Sequence, residues 1–411
     1  MQSLRELFRI GPGPSSSHTI APTLAAESFK RRIAGKGGNR IEVTLYGSLA
    51  LTGQGHGTES AIRGVFAGNN IIFKRDLSSN IPHANYLCFS LFSGDKLLDQ
   101  AHYTSVGGGE LRSEEDPTVN AKEVYPFHTF EEIKTFMKEH GEKDLVAFGL
   151  RFEDVREHLS RCLDTMFATV ERGLNKEGAI CVCANERLRT ERVAKKIFEK
   201  AQSLEDSDAK TEMLISAYAY AVAEENATGG EIVTAPTGGS AGVLPAALYF
   251  LYKNKGINKE ILVGSLYVAG VFGNIIKQNA TIAGSVGGCQ AEIGAASAMA
   301  AAALAYVDGL SLYQQEYAAE CALEHFLGLT CDPVDGYVVV PCIERNGIGA
   351  LRAYNAFLYA KHIAPLRKNL VSFDNVVSAM KMTGDSLPTA YKETAIGGLA
   401  DVLKDTNRGT C

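Results

Sequence analysis

An α+β domain, with helices on a mostly antiparallel sheet, followed by a larger all-α domain, is the fold this 411-residue sequence predicts. Residues 41–109 hold four runs of strand composition: IEVTLYGSL, NNIIFKRDL, YLCFSLFSG and KLLDQAHYTSVGGG. From about residue 146 apolar residues recur instead at helical spacing, as in FEDVREHLSRCLDTMFATVERGL. Between them lies a charged, proline-marked stretch, RSEEDPTVNAKEVYPFH, that reads as a connection. The expected division is residues 1–135 as the α+β domain, 136–149 as a linker and 150–411 as the helical domain.

In chain order, SSSHT offers Ser15, Ser16 and Ser17 as N-caps for a helix through TLAAESFKRRI. The four strand runs follow, and SGDK between the last two is a hairpin turn. Helix-plus-strand order in a small domain places a helical layer on the sheet. In the second domain RVAKKIFEKAQSL, KTEMLISAYAYAVAEENA, ILVGSLYVAGVFGNIIKQ and ALRAYNAFLYAKHI read as helices, many of them apolar on most faces and therefore central. The alanine-rich AEIGAASAMAAAALAYVDG carries Glu292 and reads as a buried helix, not a membrane span.

Composition removes several functions. A net charge of −6 without a basic run argues against a nucleic-acid partner or an anionic membrane surface. The opening MQSLRELFRIGPGPSSSHT has no apolar signal core, and nine scattered cysteines do not form a secreted disulfide framework. A cytoplasmic protein is expected.

Chemistry concentrates between Asn279 and Asn346, where NATIAGSVGGCQAEIG and CDPVDGYVVVPCIERN place Cys289, Cys331 and Cys342 at irregular backbone. Gly284, Gly287 and Gly288 allow the chain to approach a bulky inorganic group, and Pro341 suits the first turn of a helix. Three thiolates on separate loops suit a [4Fe–4S] cluster with one iron lacking a protein sulfur, and such an iron is a Lewis acid. Other cysteines fall within strand or helix patterns (Cys88, Cys162 and Cys321) or in the C-x-C of Cys181 and Cys183, and read as structural.

Three further strings suit substrate recognition. GPGPSSSHTIAP offers the hydroxyls of Ser15, Ser16, Ser17 and Thr19, with His18 beside them. YGSLALTGQGHGTESAIRG sets His56 among glycines at the end of a strand run. ENATGGEIVTAPTGGSAGVLPAAL brings Asn226, Thr234, Pro236, Thr237 and Gly238 ahead of an apolar helix, an arrangement favourable to a carboxylate. Taken locally, an ordinary N-cap and a glycine-rich connection are the stronger readings of the first and third strings, and an exposed loop histidine stands level for the second. His56 and His18 both titrate in a range that suits proton transfer near neutrality, and the sequence does not separate them.

SVGGCQAEIG, GLTCDPVDGYVVVPCIERN and the SSSHT, GHGTES and TAPTGG strings together resemble the iron–sulfur-dependent L-serine dehydratases over nearly the whole chain. MKMTGDSLPTAYKETAIGGLA, with Lys392, Glu393 and Thr394, is another string of that kind. The resemblance implies that Cys289, Cys331 and Cys342 hold a [4Fe–4S] cluster in the helical domain. It also implies that L-serine is converted to pyruvate and ammonia, and that the protein is a homodimer with a regulatory first domain. Some relatives end in a cysteine that occupies the open iron, and Cys411 suits that role. Competing readings are an iron–sulfur lyase for L-cysteine or L-threonine, a non-catalytic amino-acid sensor, a pyridoxal-phosphate dehydratase and an electron carrier. No lysine stands in a phosphate-cup motif, and electron carriers ligate every iron of such a cluster through clustered cysteines.

Overall fold

The computed structural model describes residues 1–181 and 188–406. Strands are β1 (Ile10–Pro12), β2 (Arg40–Tyr46), β3 (Ile71–Asp76), β4 (Tyr86–Ser93), β5 (Lys96–Gly107) and β6 (Glu110–Arg112), and later β7 (Ala179–Ile180), β8 (Thr190–Glu191) and β9 (Glu231–Val233). Five of them form one sheet in the order β3-β2-β4-β5-β6. Only the β2–β3 pair in it is parallel. The expected strand runs and the Ser93–Lys96 turn are all in place, with Gly94 at φ 58°. β2 alternates buried and half-buried residues, and its Ile41, Val43 and Leu45 face the helix Ala21–Arg32 through Ala25, Ala26 and Phe29.

The parallel pair requires a crossover, which two short helices supply, Gly47–Thr52 and Thr58–Val65. His56 lies between them, just beyond the carboxyl end of β2.

The rest of the chain is mainly helical around one large apolar core. Ile293–Val307 is the alanine-rich helix, and its small side chains admit Lys259–Asn279, Leu312–Glu324 and Cys342–His362 as close neighbours. Lys259–Asn279 is long and apolar enough by composition to cross a membrane, but 78% of that stretch is buried inside the protein. Phe272 on it stacks on Phe130 at 4.7 Å and meets Phe373 edge-on at 4.9 Å.

The stretch 136–149, expected as a linker, carries the end of the helix Phe130–His140 and the start of Leu145–Phe152. Thr129 and Glu132 form a capping box for the first, and Met137, Leu145 and Phe148 enter the helical core. Residues 1–8 also join that core through Met1, Leu4, Leu7 and Phe8, and β1 pairs with β9. The sheet is therefore held to the helical body at its far edge and at the chain start.

At that edge β6 presents Glu110, 1% exposed, to Lys277 at 2.6 Å. A lone charge left there would be costly, because neither group reaches bulk water. Glu110→Ala should lower stability by roughly 3–5 kcal/mol, read as a lower urea midpoint, whereas Glu110→Leu with Lys277→Met should cost much less.

Candidate active site

Cys289 opens the turn Cys289–Ala291, immediately ahead of the alanine-rich helix. Cys342 is the first residue of its own helix, whose N-terminal end favours an anion. Cys331 lies on extended chain bridged to Lys392. All three line one cavity with about 370 Å³ of empty space, shared with Ser15, His56 and Glu393. Glu292 reaches the same wall, with Oε2 at 4.0 Å from both the Cys289 and Cys331 Sγ atoms. Arg345, one turn after Cys342, donates to the Thr330 carbonyl at 2.7 Å and to Asp332 at 3.3 Å.

The electrostatics follow from burial. The Cys331 thiol is pushed well up by its hydrogen bond with Cys289, then by burial and nearby acids. Burial also raises Cys342, Glu292 and Glu393, with the Cys289 charge adding to Cys342 and Arg345 and Thr237 opposing the rise at Glu292. Burial disfavours the Arg345 cation, and its interactions with the neighbouring cysteines more than offset this, so its pKa is raised overall. Sulfur sites of this kind hold their protons until a metal displaces them.

The donor set fits a cysteine-bound inorganic group. Three sulfurs from three segments face one space, and among the described residues no other cysteine lines it. A Cβ on Gly284 would stand 2.8 Å from Glu292 Oε2 and 3.3 Å from Cys331 Sγ, so any side chain there would occupy that space. Cys289, Glu292 and Cys331 form one metal-capable group, with ligand atoms within 4.8 Å of one another. Cys411 and Cys183 lie outside the described residues.

The two histidines are both buried and stack at 4.4 Å between ring centroids. Their hydrogen bonds separate them. Ser48 Oγ donates to the Glu393 carbonyl and Thr52 Oγ1 to the Ser48 carbonyl. Having spent their protons, both hydroxyls can only accept from His18 Nε2, at 3.1 and 3.0 Å. His18 Nδ1 then accepts from Ser17 Oγ at 2.9 Å, so both its nitrogens are engaged. His56 Nδ1 donates to the Thr52 carbonyl at 2.9 Å, which leaves Nε2 as an unprotonated nitrogen, 3.6 Å from Glu393 Oε1. Burial lowers both imidazoles, His56 to about 4, and the charge of His56 lowers His18 further.

The other expected residues divide. Ser15 caps the turn Ser16–Ile20 by accepting from the His18 N–H, and it lines the cavity. Ser16 Oγ accepts from the Gly238 N–H at 3.1 Å, joining two of the strings. Thr237 donates to Glu292 at 2.7 Å, and Asn226 to the Pro14 carbonyl at 2.8 Å. Thr19 is used internally, donating to the His56 carbonyl. Thr234 donates to the Leu7 carbonyl and accepts from the Arg9 N–H, so its hydroxyl holds the chain start and is not at the cavity. The Pro236 carbonyl faces Gly108 of the sheet domain. Sequence reasoning did not single out Ser48, Thr52, Glu292 or Arg345 for the site. A signal existed for the last two, because Glu292 and Arg345 each follow a cavity cysteine by three residues, one helical turn.

A family model described as "Serine dehydratase alpha chain" matches residues 90–400, and one described as "Serine dehydratase beta chain" matches residues 3–70. The chain belongs to the serine dehydratase family. An L-serine dehydratase of Streptomyces coelicolor is 38% identical, over 97% of this chain and 98% of its own. L-serine dehydratase 1 of Escherichia coli is 35% identical, over 97% and 99%. An L-serine dehydratase of Helicobacter pylori is 34% identical, over 98% and 99%. In this serine dehydratase both family regions are fused, and the cavity draws Ser15 and His56 from one and its cysteines from the other.

Because burial depresses His56 from 6.5 to about 4, the folded state binds fewer protons than the unfolded chain between those values. Its contribution to stability is complete above pH 6.5 and is lost as pH falls towards 4. Over that interval His56→Gln should remove roughly 3 kcal/mol of the acid-induced loss, measured by urea unfolding at stepped pH.

Proposed function

We propose that this protein is an L-serine ammonia-lyase that forms pyruvate and ammonia, with a [4Fe–4S] cluster held by Cys289, Cys331 and Cys342. The observation that carries the reading is the convergence of three thiols and the unprotonated Nε2 of His56 on one buried cavity. Family membership and relatives named L-serine dehydratase support the substrate. When bound, a cluster with three protein sulfurs supplies one iron as a Lewis acid towards the substrate's hydroxyl and carboxylate.

The chain's own groups supply the rest. Ser15 on the cavity wall offers a polar group for the substrate carboxylate, and the Ser16–Gly238 hydrogen bond holds its loop in place. The Thr52 carbonyl fixes the His56 ring, so Nε2 is the atom that takes the α-proton. His18, with both nitrogens engaged, holds the loop and backs the His56 ring. Loss of the α-proton and of the β-hydroxyl as water leaves aminoacrylate. Aminoacrylate tautomerises to the imine, which water converts to pyruvate and ammonia. Burial keeps the His56 imidazole neutral, with Nε2 free to accept a proton, throughout the physiological range. On the family resemblance the proposal extends to a homodimer in the cytoplasm, with Cys411 closing the open iron.

Protein purified without oxygen should contain about four irons and release pyruvate from L-serine in preference to L-threonine and L-cysteine. Cys331→Ala should lose iron and turnover together, and turnover by metal-free protein would contradict the reading. His56→Asn should keep its iron and lose roughly 10²–10⁴ in kcat, and His18→Asn should lose less.

A further inference from the structure

The carboxylate and hydroxyl of a β-hydroxy amino acid have partners in the proposal above, but its ammonium group does not. Two carboxylates face the cavity, the half-buried Glu292 and the buried Glu393, and the one cation among the residues lining it is Arg345. Glu292 is committed: Oε1 accepts from Thr237, and Oε2 lies against two sulfurs. Glu393 differs. It is 5% exposed, and its Oε1 lies 3.7 Å from His18 Nδ1 and 3.6 Å from His56 Nε2. Among the described residues its Oε2 has no hydrogen-bond partner of normal geometry.

We infer that Glu393 holds the substrate's α-ammonium group and so selects amino acids over the corresponding hydroxy or simple carboxylic acids. The connectivity of the substrate suits such a neighbour. The amino group and the departing proton share one carbon, so a group that binds the nitrogen lies close to the base, as Glu393 lies close to His56. An unpaired buried carboxylate oxygen is a costly feature, and a cationic N–H donor removes the cost while favouring the anionic form of the carboxylate it meets.

The backbone fixes this carboxylate independently of its charge. The Glu393 N–H donates to the Cys331 carbonyl at 2.7 Å, and its carbonyl accepts from Ser48 Oγ at 2.7 Å. The side chain is thus set at a fixed distance from both the cysteine wall and the histidine pair. A glutamine in its place keeps shape and backbone contacts and removes only the anionic acceptor.

The inference rests on the proposed lyase reading, and L-alanine and propanoate test it separately. The two share carboxylate and methyl and differ only in the ammonium group. Their inhibition constants against L-serine, and their binding by calorimetry, are measured on anaerobically purified holoprotein. Wild type should favour L-alanine, and Glu393→Gln should reduce that preference roughly tenfold to a hundredfold while propanoate binding stays within about threefold, the loss expected for one charge-assisted hydrogen bond. Glu292→Gln should leave the preference in place. A preference that survives Glu393→Gln, or that disappears in Glu292→Gln instead, overturns the assignment while leaving the lyase reading intact. If Glu393→Gln binds neither compound, Glu393→Asp decides. A restored preference for L-alanine supports the assignment, and loss of both compounds there as well shows a structural role and overturns it. A wild-type holoprotein that neither turns over L-serine nor distinguishes the two compounds overturns both readings.

Discussion

The backbone of one residue near the end of the chain joins the parts of the site. Glu393 sits at φ 57°, a left-handed conformation in which a side chain is strained by about 1–3 kcal/mol. Two hydrogen bonds hold it there, one to Cys331 in the helical body and one from Ser48 in the sheet domain's crossover. Ser48 and Thr52 in turn decide the tautomer of His18, and Thr52 decides that of His56. Histidine protonation, cysteine placement and the position of a buried acid are therefore linked through one junction.

Burying that much ionisable chemistry is unfavourable unless each group is neutralised or paired. The thiols Cys331 and Cys342 and the acids Glu292 and Glu393 are all pushed towards their protonated forms, while His18 and His56 are pushed towards theirs without charge. These acids, thiols and imidazoles thus favour their neutral forms, beside the cation at Arg345. Cationic metal and a zwitterionic substrate would change that balance, because each favours the anionic form of the groups it meets.

The two domains are not free of one another. Gly107 and Gly108 of the β5–β6 turn lie so close to Ile282 that a Cβ at either would come within 3.0 Å of it, and one at Gly108 would also stand 3.0 Å from the Pro236 carbonyl. Ile282 and Pro236 belong to the loops that carry Cys289 and Thr237. With the buried Glu110–Lys277 pair beside it, this edge of the sheet buttresses the loops around the cavity.

Much of this was legible in the sequence, because period-2 and period-3.6 patterns report which face of an element is buried. The strand runs, the hairpin turn and the alanine-rich helix all appear as read. The span 136–149 was misleading since short helices with charged outer faces look like connections when the core they cover is unseen. Cys289, Cys331 and Cys342 were recognisable as a set from their glycine and proline neighbours and from resemblance. What residue types alone determined was the available chemistry: thiols, imidazoles, hydroxyls and acids on glycine-rich loops. Which histidine keeps a free nitrogen, which cavity acid keeps an oxygen without a hydrogen bond, and that Thr234 serves the chain start were decided only by tertiary structure. Those outcomes depend on hydrogen bonds between residues as far apart as Ser48 and Glu393, and local sequence does not encode where a proton goes when its acceptor lies 345 positions away.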